Sequence, residues 1–476
     1  MSRRERALWR FAVPAVLVAA VVVVYSNSFS CGWHLDDYRC ITEFDYAGAT
    51  FEKIIAFSPQ RSLGFMTFWM NHALHGYNVW GWHAVNVALH CIVSVLAYFI
   101  AVFLFRDSTR IHGGNAARYA YMTGALIALL FAVHPVQVHA VTYIVQRIEI
   151  FGVFWVYVLF IALLKLLTAT EWRARVAWLF VAVMSAGGGG VTKETIAAAP
   201  ALAGTYLILV KLRTWRGRAW VTVVCAVIGG ITVAAALMYF KALTWTPWPN
   251  VSGAPFAILW EHAPSPAEYY PTQARVLVFF LRLCVVPYGQ CVEHVIPASS
   301  SWLSAPVAAS LFIHALVIGA GCALWRRRPM ALFGIAWFYL MMAPSSVLPN
   351  GVFEHRVYGA LFGVLIAVGI PLGQEIMDRP LRERRILARA AIACALAIAV
   401  VFGVRAYLRN RVWSSDVTLW GEAVAREPDN WRAHANYGYA LLERGQLREA
   451  GPYLEQSYAM KSNVYLVANN LGLYYH

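Results

Sequence analysis

Long apolar runs separated by short polar stretches dominate the chain from residue 10 to residue 407, and they reach the roughly 20 residues that an α-helix needs to cross a bilayer. Eleven runs predict membrane helices near 10–27, 85–105, 119–135, 150–168, 175–190, 195–211, 219–240, 304–325, 330–348, 357–376 and 388–407. Two segments depart from the pattern. Gln273 to Tyr288 carries Arg275 and Arg282 between two outer stretches and reads as an interfacial or re-entrant helix. The glycine run Gly187 to Gly190 is expected to break the fifth helix near its outer end, leaving backbone groups in need of partners, which is tolerated where a cavity is lined.

After Arg411 the pattern turns amphipathic and polar. Gly438 in "NYGYALLERGQLREA" recurs as Gly472 in "NNLGLYYH", an interval of 34 residues, the period of tetratricopeptide helix pairs. Trp420, Ala423 and Pro428 close one unit, and Gly438, Gly445 and Ala450 take the small-residue positions of the next. Arrays of this kind bury their cores by stacking. The sequence ends after the first helix of the following unit, so further chain or a partner is expected over Leu471, Tyr474 and Tyr475. The plainer alternative is a helical hairpin resting on the membrane domain. The division expected is an all-α polytopic membrane domain over 1–410, with a first outer loop at 28–84 and another at 241–303, followed by repeats over 411–476.

Composition agrees: of 476 residues 60% are hydrophobic and only 13% charged, with a mean hydropathy of +0.56, against about 25% charged residues in soluble domains. That excludes a soluble enzyme core, a disordered regulator and a secreted disulfide scaffold. The net charge of +15, from 39 Lys and Arg against 24 Asp and Glu, would suggest nucleic acid in a soluble protein. Here the basic residues collect in alternate loops: Arg3, Arg4 and Arg6; Arg106, Arg110 and Arg118; Arg173 and Arg175; Lys211, Arg213, Arg216 and Arg218; Arg326 to Arg328; and Arg379, Arg382, Arg384 and Arg385. The positive-inside rule makes that side cytoplasmic and, with eleven crossings, places the C-terminus outside. No nucleic-acid-binding module is recognisable. Phe11 to Tyr25 behind a basic start could be a signal peptide, but without a small-x-small cleavage site it reads as a retained anchor.

Ionisable groups at membrane depth are functional candidates by default, and they cluster in the outer loops. "HLDDYRC" holds His34, Asp36, Asp37 and Arg39; the stretch from Gln60 to His90 adds Arg61, Asn71, His75, His83 and Asn86; "HPVQVHAVTYIVQRIEIF" holds His134, His139, Gln146, Arg147 and Glu149; "TKE" supplies Lys193 and Glu194; "FEHRVYG" supplies Glu354, His355, Arg356 and Tyr358. Cations at the outer boundary can hold the phosphate of an anionic lipid carrier while a carboxylate accepts a proton from an incoming hydroxyl. Asp36 and Asp37 are adjacent, so in an extended loop they point to opposite faces and take different roles. His83 and His90, and His134 and His139, lack the i, i+4 spacing of a metal-binding helix, and hydrogen-bonded helix-end histidines account for them. Arg147 with Glu149, Lys193 with Glu194, and Arg356 with Glu354 could each be an architectural pair or could touch substrate. Cys31 with Cys40 and Cys284 with Cys291 are candidate disulfides on an oxidising side, though sequence alone establishes neither. Cys91, Cys225, Cys322 and Cys394 read as small core residues.

Taken in order, "DD" after the first helix, "QRSLGFMTFWMNHALHGYNVWGWHAVNVALH", "LFAVHPVQVHAVTYIVQRIEIF", "TKE", "EHRVYG" and the terminal repeats resemble the TMTC-type protein O-mannosyltransferases and their bacterial homologues, of the GT-C glycosyltransferase superfamily. The resemblance spans nearly the whole chain. It departs at "QRSLG", without a proline after the arginine, and at "EHRVYG", which has His355 and no proline after the tyrosine. What it implies is a GT-C-type fold, a polyprenyl-phosphate-linked sugar donor, an extracytoplasmic site under the large first loop, and inverting transfer without a metal or other cofactor, a divalent ion being possible but not expected. It implies Asp36 as general base, with Asp37 supporting it or contacting the acceptor, and Arg61, Arg147, Lys193 and Arg356 as candidates for the lipid phosphate. Arg39, His83, His90, His134, His139, Gln146, Glu149, Glu194, Glu354, His355 and Tyr358 are the supporting or acceptor-contacting candidates. The expected setting is a bacterial inner membrane, with an exported protein as acceptor and lipids as neighbours. The competing readings are a non-catalytic assembly factor whose repeats recruit exported partners, and a transporter, which the lack of an inverted repeat disfavours.

Overall fold

In the computed structural model, residues 3–109, 114–211, 265–347 and 351–476 are described. The expected span 219–240, Arg110, Arg213, Arg216, Arg218, Cys225 and the first part of the 241–303 loop lie outside these residues. The described chain is helical throughout, with one isolated bridge between His294 and Val352. In order, α1 (Arg3–Val24) leads into a folded loop with α2 (Phe51–Phe57) and α3 (Ser62–His75); α4 (Val79–Ser108), α5 (Gly114–Val133), the short α6 (Val138–Val141), α7 (Arg147–Thr168), α8 (Trp172–Gly190) and α9 (Ala198–Tyr206) follow. After the undescribed stretch come α10 (Pro266–Val285), α11 (Ala305–Trp325), α12 (Pro329–Val347), α13 (Ala360–Asp378) and α14 (Leu381–Asn410). The repeats are α15 (Asp416–Arg426), α16 (Trp431–Glu443), α17 (Leu447–Met460) and α18 (Tyr465–Tyr475).

Among the described residues eight helices are long and apolar enough to cross a membrane, and the chain is a polytopic all-α membrane protein. Three of the eleven expected spans are not among them. One lies outside the described residues. The run 175–190 is α8, which opens on Trp172, Arg173 and Arg175. The run 195–211 is helical in three pitches: a 3₁₀ turn at Glu194–Ala197, the nine-residue α9, and a π-helical turn at Leu207–Lys211. The helix predicted from residue 85 starts at Val79, where Asn78 caps it by accepting from the Trp80 N–H. At 30 residues it is about 45 Å long, well beyond a hydrocarbon core of roughly 30 Å, so its first two turns stand beside the loop helices.

The glycine run does not break α8, which continues through Gly187 to Gly190. These glycines permit close approach: a Cβ on Gly188 would stand 2.8 Å from the Trp155 ring, and one on Gly189 would stand 2.4 Å from Ile196. The helix end is satisfied locally, because the Thr192 hydroxyl donates to Gly188 O and the Lys193 N–H to Gly189 O. Neither expected disulfide is present. The Cys31 thiol donates to Asn410 O, and Cys284 and Cys291 are buried as free thiols.

Because successive membrane helices run up and down, Asp36 beyond the end of α1, His83 at the start of α4, Arg147 at the start of α7, Lys193 beyond α8 and Arg356 before α13 all fall at one end of the bundle. The repeats start at that same end. Gly438 sits where α16 meets α17, since a Cβ there would stand 2.6 Å from Leu454. Gly445, at φ +73°, makes the turn between the two helices. Asn470 donates to Ala435 O, stacking α18 on α16. Leu471 and Tyr474 are partly buried against the Leu441, Ala450 and Leu454 core, and Tyr475 is exposed.

Candidate active site

The acidic pair stands in a helical turn that continues into a π-helical turn at Tyr38–Thr42, not in an extended loop. The turn is entered through Leu35 at φ +47°, the sole non-glycine residue with positive φ among the described residues. The two carboxylates still separate. Asp37 is fully buried, its Oδ1 accepting from the Val145 N–H at 2.7 Å and its Oδ2 from the His34 N–H at 3.1 Å. It ties the loop to the turn before α7. Asp36 is partly exposed, and its own N–H donates to the Tyr143 hydroxyl at 2.8 Å.

Burial raises the Asp36 pKa above the ordinary carboxyl value, against the pull of Arg432, Arg61, the Tyr143 hydroxyl and Arg39. Burial likewise pushes Asp37 up to about 7, opposed by His34 and by the N–H groups of Val145 and His34. Glu194 behaves oppositely: burial would raise it, but Arg61 and Lys193 hold it below the usual range. Arg61 is thus the shared cation, felt by Asp36 on one side and Glu194 on the other.

Around it the cationic groups expected from sequence separate into two kinds. Lys193 Nζ lies 2.5 Å from Glu149 Oε2, Arg61 reaches Glu194 at 3.9 Å and is 41% exposed, and Arg356 lies over the Phe353 ring with no ion pair within 4 Å among the described residues. Burial lowers the Arg356 pKa, opposed by Tyr269, Glu194, Glu149 and Glu293. His355, buried beside Arg356, is driven well down by burial and then by its cationic neighbours. Arg39, Arg61, Glu149, Lys193, Glu194, His355 and Arg356 therefore share one charged region with Asp36.

Arg147 is different. Its guanidinium is fully buried, donating to Asn86 Oδ1, Asn71 Oδ1, Trp82 O and Thr67 O while lying over Phe68 and Trp82. It staples α3 to α4, and Gln146 stands partly exposed just before it. His83 bonds Cys31 O, His90 joins the Tyr358 hydroxyl to Ala132 O, and His134 joins Cys284 O to the Val136 N–H. These three are the hydrogen-bonded histidines expected. His139 is not: neither ring nitrogen has a hydrogen-bond partner among the described residues, and it sits among Tyr143, His355 and Trp413. Glu354 faces away from Arg356, accepting from Gln290, the Cys291 N–H and His294.

Several residues here gave no sequence signal. Asp416 holds His34 at 2.7 Å and the Tyr38 hydroxyl at 2.7 Å; His294 bridges Glu354 and Glu427; Arg432 pairs with Glu293 at 3.1 Å. Asp416 brings the first repeat helix against the acidic loop, while Glu427 and Arg432 dock the repeats on the segment holding Glu293 and His294. A 34-residue period identifies helix pairs but not the side chains that dock them elsewhere. Among the described residues no group of three or more His, Cys, Asp or Glu side chains is placed to hold a metal ion.

The class defined by this geometry is a polytopic α-helical membrane protein with a charged site at one end of the bundle, roofed by repeat helices. No family model matches the chain. Over 185 residues, 34% of this chain and 20% of the relative, it is 29% identical to Protein O-mannosyl-transferase Tmtc3 of Drosophila melanogaster. It is 22% identical over 92% of its length to 65% of Protein O-mannosyl-transferase TMTC4 of Homo sapiens, and 28% identical over 28% of its length to 15% of TMTC3 of Mus musculus. Its homologues are thus TMTC-type protein O-mannosyl-transferases, and the chain spans less than two thirds of the length of these relatives.

Proposed function

We propose that the protein is a membrane-embedded glycosyltransferase that moves a sugar, mannose by the name of its relatives, from a polyprenyl-phosphate carrier to a Ser or Thr hydroxyl of an exported protein. The observation that supports this reading is the place of Arg61, whose charge acts on the partly exposed Asp36 and also on Glu194, which Lys193 and Arg356 act on as well. The positive-inside rule supports an extracytoplasmic position for that end, and the setting we infer is a bacterial inner membrane, with the carrier's headgroup accessible from that side.

The step is a single displacement. Asp36 takes the acceptor proton as the hydroxyl oxygen bonds to the anomeric carbon; the bond from that carbon to the phosphate oxygen breaks with inversion, and polyprenyl phosphate leaves with the electron pair. Arg61, Lys193 and Arg356 stabilise the charge growing on the departing phosphate. Asp37 and Arg147 set the frame, the first tying the acidic turn to Val145 and the second stapling α3 to α4. No cofactor is required by this step.

The test is transfer from undecaprenyl-phosphate mannose to Ser/Thr peptides by the purified protein in nanodiscs. Removing a general base costs about 10²–10⁴-fold, so Asp36→Asn should lose that much while remaining folded. Full activity in that variant would refute Asp36 as the base, and wild-type protein inert with this donor would leave the non-catalytic assembly factor in its place.

A further inference from the structure

The turn bearing Asp36 is held from two sides, and only one of them belongs to the membrane domain. On that side Asp37 is fixed to Val145. On the other, Asp416, the first residue of the first repeat helix, accepts from the Tyr38 hydroxyl through Oδ2 and meets His34 Nδ1 through Oδ1. The other nitrogen of His34 is held by Trp413 O at 2.7 Å, just before that helix. His34 and Tyr38 flank Leu35, whose backbone lies in the left-handed region at φ +47°. A branched side chain is unfavourable there and persists only where its surroundings over-determine it. Asp416 is itself fixed, since Ser415 caps α15 through Thr418.

We propose that Asp416 is a positioning residue for the Asp36 base: the repeat helices clamp the strained turn at Leu35, so that they are part of the catalytic frame as well as a surface for protein binding. This rests on Asp36 being the base. The acceptor, lying along the repeats, would therefore meet a carboxylate whose placement depends on those same helices.

The experiment compares kcat and acceptor KM, with undecaprenyl-phosphate mannose and Ser/Thr peptides, for wild type, Asp416→Ala, Leu35→Gly and the double variant. Strain of this kind translates into a rate loss of about tenfold when its clamp is removed, so Asp416→Ala should lower kcat by that factor with KM nearly unchanged. Glycine adopts positive φ without strain, so in the Leu35→Gly background the same loss should shrink to about threefold or less, the coupling expected of interacting sites. Asp416→Glu should restore part of the rate. If Asp416→Ala does not purify folded, Tyr38→Phe, which removes one arm of the clamp, takes its place in the same comparison. Unchanged kcat, a pure KM effect, or equal losses in both backgrounds would overturn the proposal. Asp36→Asn assayed alongside separates the failures: inactive Asp36→Asn with indifferent Asp416→Ala refutes the clamp alone, whereas active Asp36→Asn refutes the base and the clamp together.

Discussion

Lys193 Nζ lies 2.5 Å from Glu149 Oε2, and both side chains are almost fully buried. Breaking a buried pair by removing one partner leaves an uncompensated charge and costs about 3–5 kcal/mol, whereas replacing both by neutral groups is often close to neutral. Lys193→Met should therefore lower the unfolding midpoint sharply, and adding Glu149→Gln should restore most of it. Transfer activity should stay low in both variants, because the proposed phosphate contact is gone. Thermal unfolding in detergent beside the transfer assay checks this; recovery of activity in the double variant would remove Lys193 from the donor site.

A base with a raised pKa gives up its function early on acidification. Burial raises Asp36 while Arg432 is the foremost of the groups pulling it back. The acid limb of kcat/KM against pH should therefore lie above the ordinary carboxyl range. Arg432→Gln should move that limb to still higher pH, and Arg39→Gln should move it less. A limb unmoved by Arg432→Gln would separate this arginine from the base.

The fold was legible because lipid imposes a coarse rule, long apolar runs, that survives without knowledge of packing. Charges at helix ends are conspicuous in sequence, and Asp36, Arg61, Lys193, Glu194 and Arg356 stand out there; the structure links Arg61 to Asp36 and to Glu194, and Lys193 and Arg356 to Glu194. What failed to show was the difference between a charge facing a site and one enclosed. Arg147 resembles Arg61 in sequence, yet is sealed by four hydrogen bonds from residues up to 80 positions away. The glycines of α8 are ambiguous in sequence because glycine signals both helix breaking and close approach, and only the Trp155 ring and the Ile196 side chain decide which. Asp416 and His294 were invisible because their partners come from distant segments.

His294 bolts the repeats to the membrane domain, its ring standing 3.0 Å from Glu354 and 3.0 Å from Glu427. Burial would lower its pKa, but hydrogen bonds to the two carboxylates overcome that and raise it above 6.5. For a folded-state pKa above the unfolded one, the added stability is complete below the unfolded value and is lost as pH rises through the folded value. Wild-type unfolding midpoints should accordingly fall as pH rises from 6.5 through the raised value, and His294→Gln should remove this part of the slope. Equal slopes in the two proteins would show that the bolt does not titrate.

The α12–α13 contact sets where Arg356 stands, since the turn Glu354–Val357 leads directly into α13. Gly334 and Gly363 meet there backbone to backbone: a Cβ on Gly363 would stand 2.6 Å from Gly334 O, and one on Gly334 would stand 2.4 Å from Ala367 N. Small residues at such crossings let membrane helices approach closely, and backbone atoms cannot swing aside as a side chain can. Gly363→Ala must push α13 away from α12, with an overpacking cost of about 1–3 kcal/mol, and carry Arg356 with it. Gly319, on α11, has open space around its Cβ position, so Gly319→Ala should be neutral or slightly stabilising through helix propensity alone. The expected result is a lowered unfolding midpoint and a raised KM for undecaprenyl-phosphate mannose in Gly363→Ala but not in Gly319→Ala. A lowered midpoint with unchanged donor KM would mean that Arg356 keeps its place when the helices part, and that the phosphate contact belongs to Arg61 and Lys193.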